Sequence, residues 1–183
     1  MRDDVYSKSQ SKIVDFAFTA EVASVFPDMI RRSVPGYTTI IPMIQVITEQ
    51  YIQPGTNAYD LGCSLGASTL AMRHGIQYRD CELIGVDNSA AMIERCQHYI
   101  ALDDHPLPVS LRCEDILGTD LRNASVTTLN FTLQFVPLCA RARARSLDRE
   151  NRSVSKKLRK KAPWTGKATC GFQTNYVSFF STH

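Results

Sequence analysis

The sequence predicts an α/β layer fold built on a parallel sheet, and three observations predict it. Short apolar runs that end in acidic residues, Asn57 to Leu61 and Glu82 to Asp87, alternate with stretches of helical spacing. A turn containing Gly62 and Gly66 joins the first run to the helix that follows. With 183 residues and 44% hydrophobic content, the chain is long enough to bury one substantial core.

Taken in order, Phe18, Val22, Val25 and Phe26 have helical spacing before Pro27, which predicts a short helix and then a second helical turn ending at Pro35-Gly36. Ile40, Ile41, Ile44, Ile47 and Tyr51 then share one helical face, with Pro54-Gly55 as the stop. The first strand, residues 57 to 61, leads through the glycine turn to a helix around Ala67 to Arg73 and on to the second strand, residues 82 to 87. A further helix places Met92, Ile93, Cys96 and Ile100 on one side, with Asn88 or Ser89 able to cap it. Val109 to Asp115 and Val126 to Phe135 supply the third and fourth strands, half of a doubly wound sheet with right-handed crossovers. The organisation expected is a helical cap over residues 1–55, a ligand-binding half over 56–137 and a basic tail over 138–183.

That tail differs from the rest in composition. Residues 1–137 carry 10 Lys and Arg against 16 Asp and Glu, whereas residues 138–183 carry 11 against 2. Apart from YVSFF near its end it has neither a helical stripe nor a strand pattern, and low apolar content with high charge predicts disorder. A basic arm for nucleic acid or a membrane surface is one reading of such asymmetry. Translation in a shifted frame after about residue 137 is the other, because composition changes at a single point. Loss of the normal following strand would leave the fourth strand an open edge, which YVSFF could pair without a register set by the sequence.

Six scattered cysteines without a CxxC pair indicate buried reduced thiols rather than a disulfide framework or a metal site. No run of about 18 apolar residues is present to span a bilayer, and the N-terminal MRDDVYSKSQSKIVD lacks a secretory apolar core, so a cytoplasmic location is expected.

The most informative segment is YDLGCSLGAST, Tyr59 to Thr69. A strand ending at Asp60, followed by Gly62 and Gly66 and a helix N-terminus, lets backbone approach a ligand, and glycine is expected there because a side chain would fill the ligand's volume. Asp87 ends the second strand about 20 residues further on, where a carboxylate can accept from both hydroxyls of a ribose. Asp115 follows the third strand, placed to accept from an adenine amine, and Ile116 offers apolar contact to the ring. Asn130 lies at the carboxyl edge of the fourth strand. Asp60 and Asp87 could also be caps or solvated strand ends, and Asp115 and Asn130 could be turn formers. All four fall at one edge of one predicted sheet, which favours an adenosine site.

YDLGCSLGAST, GVDNSAAMIERC, EDI, NFTLQF and VFPDMIRRSVPGY together resemble the carboxy-S-adenosyl-L-methionine synthase family over about Phe18 to Pro137. The resemblance implies a Rossmann-like, class I methyltransferase sheet, of which the first four strands are present. It implies an enzyme that takes S-adenosylmethionine as substrate, without a metal, and prephenate as carboxyl donor, releasing phenylpyruvate. The methyl beside the sulfonium loses a proton to give an ylide that captures carbon dioxide. The product serves a partner enzyme in transfer RNA wobble-uridine modification, so direct nucleic-acid contact is not required, and members are homodimers. Carried over position by position, the cofactor-holding residues are Tyr37, Gly62, Cys63, Ser64, Asp87, Asn88, Asp115, Ile116 and Asn130. No catalytic acid or base is named. The family's continuation after LNFTLQFVPL, including an arginine that contacts the carboxylated cofactor, does not align here, so weak or absent turnover is expected.

Three other readings stand beside it. A generic methyltransferase shares the cofactor half. GCSLG fits the G-x-S-x-G nucleophile elbow with Ser64 as nucleophile, but His98 and His105 precede the third strand and His183 is terminal. An inactive product, or an RNA binder using Lys156, Lys157, Arg159, Lys160 and Lys161, is the non-enzymatic reading.

Overall fold

A computed structural model of the chain describes residues 20–142, 169–172 and 175–179. Two helices come first, α1 (Ala20–Ser33) and α2 (Tyr37–Tyr51), followed by β1 (Asn57–Leu61), α3 (Ala67–Gly75), β2 (Glu82–Asp87), α4 (Ala90–Leu102), β3 (Val109–Cys113) and β4 (Ala124–Leu129). A 3-10 turn at Leu133–Phe135 and two short strands, β5 (Thr169–Phe172) and β6 (Asn175–Phe179), complete the order. The sheet runs β3-β2-β1-β4-β6-β5. Its first four members are parallel, as the strand and helix alternation predicts, and β6 joins β4 antiparallel.

Alternate residues of the central strands feed two cores. Tyr59, Leu61, Ile84 and Val86 pack with Ile116, Leu129, Leu133 and Val136 on one face. Ala58, Leu83 and Val126 meet Ile44 of α2 and Met72 and Ile76 of α3 on the other. The N-terminal half of α1 packs Val22 and Ala23 on Met92 of α4 and on Leu65 of the β1 turn, which carries this helix across the sheet's carboxyl edge. Arg73 is a buried tie from α3 to the loop after α4: it donates to the carbonyls of Leu107, Ile100, Asp103 and His105, and lies 3.7 Å from the Asp103 carboxylate. Four acceptors and a counter-ion satisfy a cation that burial would otherwise penalise.

Several boundaries differ from the sequence expectation. α1 runs unbroken through Pro27, so the two expected pieces are one helix. Phe18, expected in its apolar stripe, lies outside the described residues. β3 stops at Cys113, because Asp115 turns the chain by accepting from the Leu117 amide at 2.9 Å. β4 stops at Leu129 rather than Phe135: Phe131 adopts φ +57 and Thr132 Oγ1 donates to the Leu61 carbonyl at 2.7 Å, folding the segment back over β1. Cys63, Cys81 and Cys96 are buried free thiols, whereas Cys113 and Cys139 are exposed, since Cys113 ends the outermost parallel strand and Cys139 lies beyond the core.

Beyond Pro137, residues 138–142 are helical, and YVSFF contributes to β6 on the open edge of β4; β5 was not anticipated. The rest of the expected disordered tail lies outside the described residues, as do Lys156, Lys157, Arg159, Lys160 and Lys161. Among the described residues no helix is long and apolar enough to cross a membrane.

Candidate ligand-binding site

At the carboxyl edge of the four parallel strands lies a cavity of about 640 Å³, within the range of small-molecule sites. The ends of β1, β2, β3 and β4 form its floor and α1 with the start of α2 its roof. All nine positions carried over from the family, Tyr37, Gly62, Cys63, Ser64, Asp87, Asn88, Asp115, Ile116 and Asn130, line this one cavity.

The turn after β1 is shaped from below by Asp60. This carboxylate is fully buried and accepts from Ser68 Oγ at 2.8 Å and Thr69 Oγ1 at 2.6 Å through one oxygen, and from Thr128 Oγ1 at 2.7 Å through the other. Burial pushes its pKa up, the three hydroxyls pull it back, and the Asp87 charge adds to the rise. Asp60 is absent from the cavity lining, so it positions α3 and β4 and offers nothing to a ligand.

Gly62 and Gly66 both sit at positive φ, +82 and +88. A Cβ at Gly62 would land inside the Thr132 side chain, and one at Gly66 would lie 2.7 Å from Cys96 Sγ. A side chain at either position would therefore meet protein, so the glycines let the turn pack against its neighbours, and Gly62 also lines the cavity. The Cys63 thiol is raised by its hydrogen bond with Cys96 and by burial, which keeps it protonated.

Asp87 joins the turn after β1 to the start of α4. Its Oδ2 accepts the Ser64 amide at 2.9 Å and its Oδ1 accepts the Ser89 amide at 2.9 Å. One carboxylate thus holds Ser64 in its left-handed conformation, φ +51, and starts α4, whose Met92 amide is capped by Ser89 Oγ. Each oxygen retains acceptor capacity for a ligand hydroxyl. Burial raises the Asp87 pKa, and the Ser89 and Ser64 amides oppose the rise.

Asp115 is exposed at the cavity and Ile116 is buried beside it, one polar and one apolar contact. Asn130 Oδ1 is buried with no hydrogen-bond partner among the described residues, although the residue lines the cavity. An acceptor in that state fits a donor supplied by a bound group. Tyr37 opens α2, with its ring centroid 6.2 Å from that of Phe131. Its pKa is raised by burial and by the Asp60 charge, against the opposing charge of Arg31.

The sequence reading missed the α1 wall, which includes Ile30 and Arg31, and the segment Gln134 to Pro137 after β4. The crossing of α1 over the sheet edge brings Arg31 to the cavity. The hydroxyl partners of Asp60 carried a signal that was not used, since Ser68 and Thr69 open the helix that Asp60 faces. The nucleophile-elbow reading gains no support. Ser64 Oγ lies 3.7 Å from Met92 Sδ, whereas His74 pairs with Asp103, the His105 ring lies tilted against His74, and the His98 ring lies tilted against Tyr99.

Open parallel sheet, glycine turn, carboxylate on the second strand and cavity across the carboxyl edge define the doubly wound α/β class, in which ligands bind outside the carboxyl ends of the strands. The profile of the family described as "Methyltransferase domain" matches residues 58–157, more than half of the chain, and the chain belongs to that family. Its fold is shared by an S-adenosylmethionine-dependent methyltransferase from Clostridium acetobutylicum at 15% identity, with a TM-score of 0.53, over 69% of this chain and 50% of that one. Its relatives include carboxy-S-adenosyl-L-methionine synthases. That of Marinobacter nauticus is 83% identical over 123 residues, 67% of this chain and 49% of the relative. That of Escherichia coli O7:K1 is 51% identical over 135 residues, 74% of this chain and 55% of the relative. The resemblance read from the motifs is borne out, and the chain spans about half the length of the curated relatives it matches.

Proposed function

We propose that the cavity holds S-adenosylmethionine and that the chain carries the substrate-binding half of a carboxy-S-adenosyl-L-methionine synthase. The observation that carries this reading is Asp87, which lines the cavity and whose two oxygens each accept one backbone amide and so keep acceptor capacity. Vicinal ribose hydroxyls match that arrangement. Asp115 accepts from the adenine amine and Ile116 covers the ring. Asn130 Oδ1, without a protein partner, accepts from the ligand's amino-acid end, and Tyr37 closes that end against Phe131. Gly62, Cys63, Ser64 and Asn88 shape the wall between.

The bound sulfonium itself supplies an acidified methyl group. The chain's part is to bind, orient and exclude water, which α1 and the apolar residues after β4 do from above. On this reading residues 1–55 cap the site and residues 56–137 form it. The co-substrate is prephenate, which gives its carboxyl carbon and leaves as phenylpyruvate and water. The product feeds transfer RNA wobble-uridine modification in the cytoplasm, with the protein a homodimer and RNA contact left to the next enzyme.

Calorimetric titration with S-adenosylhomocysteine should show saturable binding that Asp87→Ala removes. Unchanged affinity in that variant overturns the reading. Incubation with S-adenosylmethionine, followed by mass spectrometry, should yield at most weak formation of the carboxylated species, and that only when prephenate is present, since the chain spans about half the length of its relatives. Methyl transfer without carboxylation would instead assign the chain to a methyltransferase of another acceptor.

A further inference from the structure

The cavity carries charge of both signs, separated along the sheet. Asp87 ends β2 and Asp115 follows β3, on one side of the order β3-β2-β1-β4. On the other side, Tyr37 lies against Phe131, the second residue past β4. Among the described residues Arg31 is the sole cationic side chain that lines the cavity, and its charge reaches Tyr37. Its neighbour Arg32 is occupied by Asp28 at 3.2 Å. Among the described residues no carboxylate pairs with Arg31.

We propose that Arg31 recognises a carboxylate in this site: that of the amino-acid end of the adenosyl ligand, or that of a second acid bound next to it. The inference rests on the adenosyl reading and deepens it. With ribose at Asp87 and the base at Asp115, the remainder of the ligand runs across β1 toward β4, and Arg31 stands where that path ends. Phe26, Ile30 and Val34 line the same wall, and Arg31 itself is exposed, so its guanidinium is accessible to a carboxylate arriving there. A guanidinium offers a planar fork that matches a carboxylate in two parallel hydrogen bonds. α1 contacts both α4 and α2, so the residue that recognises the substrate sits on the element that roofs it.

The test compares Arg31→Gln, Arg31→Lys and Arg32→Gln with the unmodified protein by calorimetry, using three probes. S-adenosylhomocysteine carries the amino-acid carboxylate, 5′-methylthioadenosine lacks it, and prephenate is added to protein already loaded with S-adenosylhomocysteine. If Arg31 holds the ligand's own carboxylate, Arg31→Gln weakens S-adenosylhomocysteine by about 10- to 100-fold and leaves methylthioadenosine unchanged. If it holds the second acid, both nucleosides bind as before and prephenate binding to the loaded protein is lost. In either case Arg31→Lys is intermediate and Arg32→Gln matches the unmodified protein. Equal affinities for all three probes in Arg31→Gln, or an equal loss for both nucleosides, overturn the assignment of Arg31 alone. Failure of the unmodified protein to bind either nucleoside removes the adenosyl reading, and the assignment with it.

Discussion

After β1 the chain turns through Gly62, Ser64 and Gly66, and protein groups hold that turn from several sides: Val86 O takes the Gly62 and Cys63 amides at 2.7 and 3.0 Å, and Asp87 takes that of Ser64. After β4 it turns through Asn130 and Phe131 at the same sheet edge, and there Thr132 Oγ1 anchors to Leu61 O while Asn130 Oδ1 stays buried without a partner. The two turns touch, since the side chain of Thr132 fills the space a Cβ on Gly62 would need. The difference separates scaffold from binding surface. A turn whose polar groups are already paired sets geometry, and a neighbouring turn with an orphaned acceptor is where an incoming donor lowers the free energy.

Asp60, beneath the first turn, offers the largest effect. Asp60→Ala leaves the hydroxyls of Ser68, Thr69 and Thr128 buried without their acceptor, a loss of about 3 kcal/mol at about 1 kcal/mol per hydrogen bond. That is a large share of the roughly 5–15 kcal/mol that holds a domain together, so urea denaturation should show a much lower midpoint. Asp60→Asn, which keeps an acceptor, should lose less and should change the pH profile. Burial raises the folded-state pKa of Asp60, so its contribution to stability is complete below the unfolded value of about 4 and is lost as pH rises through the raised one. Stability of Asp60→Asn should therefore fall less than that of the unmodified protein as pH rises from about 4. An unchanged pH profile would mean that Asp60 is not the buried charge beneath the turn.

Gly66 gives the next effect and tests what the glycines are for. Ala at φ +88 costs about 1–2 kcal/mol in backbone strain, and its Cβ meets Cys96 Sγ at 2.7 Å. Gly66→Ala should lower the thermal midpoint by several degrees, and adding Cys96→Ala should recover the part due to contact but not the part due to φ. Loss of S-adenosylhomocysteine affinity with no loss of stability would return the glycine to the role of making room for a ligand.

The sheet was legible in the sequence because its signals are local. Glu82–Asp87 matches the expected strand end to end, and the strand edge bearing Asp87 follows from alternation alone. The nine carried-over positions converge because each closes or follows a parallel strand or opens a helix over it, and parallel strands bring their carboxyl ends to one line. What could not be read depended on contacts between distant segments. The stop at Leu129 depends on Thr132 reaching Leu61, and the apolar run LNFTLQF alone looks like continued strand. The pairing Val126↔Phe179 joins residues far apart in sequence, and no local pattern specifies that register. Arg31 reached the site by the same route, through the crossing of a helix whose own sequence gives no direction.

The smallest effect is also the sharpest, because it sets two residues of one strand end against each other. Thr128 Oγ1 serves Asp60, and Asn130 Oδ1, two residues on, serves no protein group. Thr128→Val should cost about 1–2 kcal/mol of stability by removing one donor to a buried carboxylate, and should leave nucleoside affinity of the folded protein nearly unchanged. Asn130→Ala should do the reverse. Removing an unpartnered buried acceptor costs the unliganded fold close to nothing, while S-adenosylhomocysteine should bind about ten-fold more weakly, the equivalent of one hydrogen bond of about 1.4 kcal/mol. Denaturation and titration of the two variants side by side would show opposite entries in the two measurements if the turn after β4 is the open one. Equal stability losses with equal affinity losses would mean that both turns are scaffold, and that the donor Asn130 awaits is not on the adenosyl ligand.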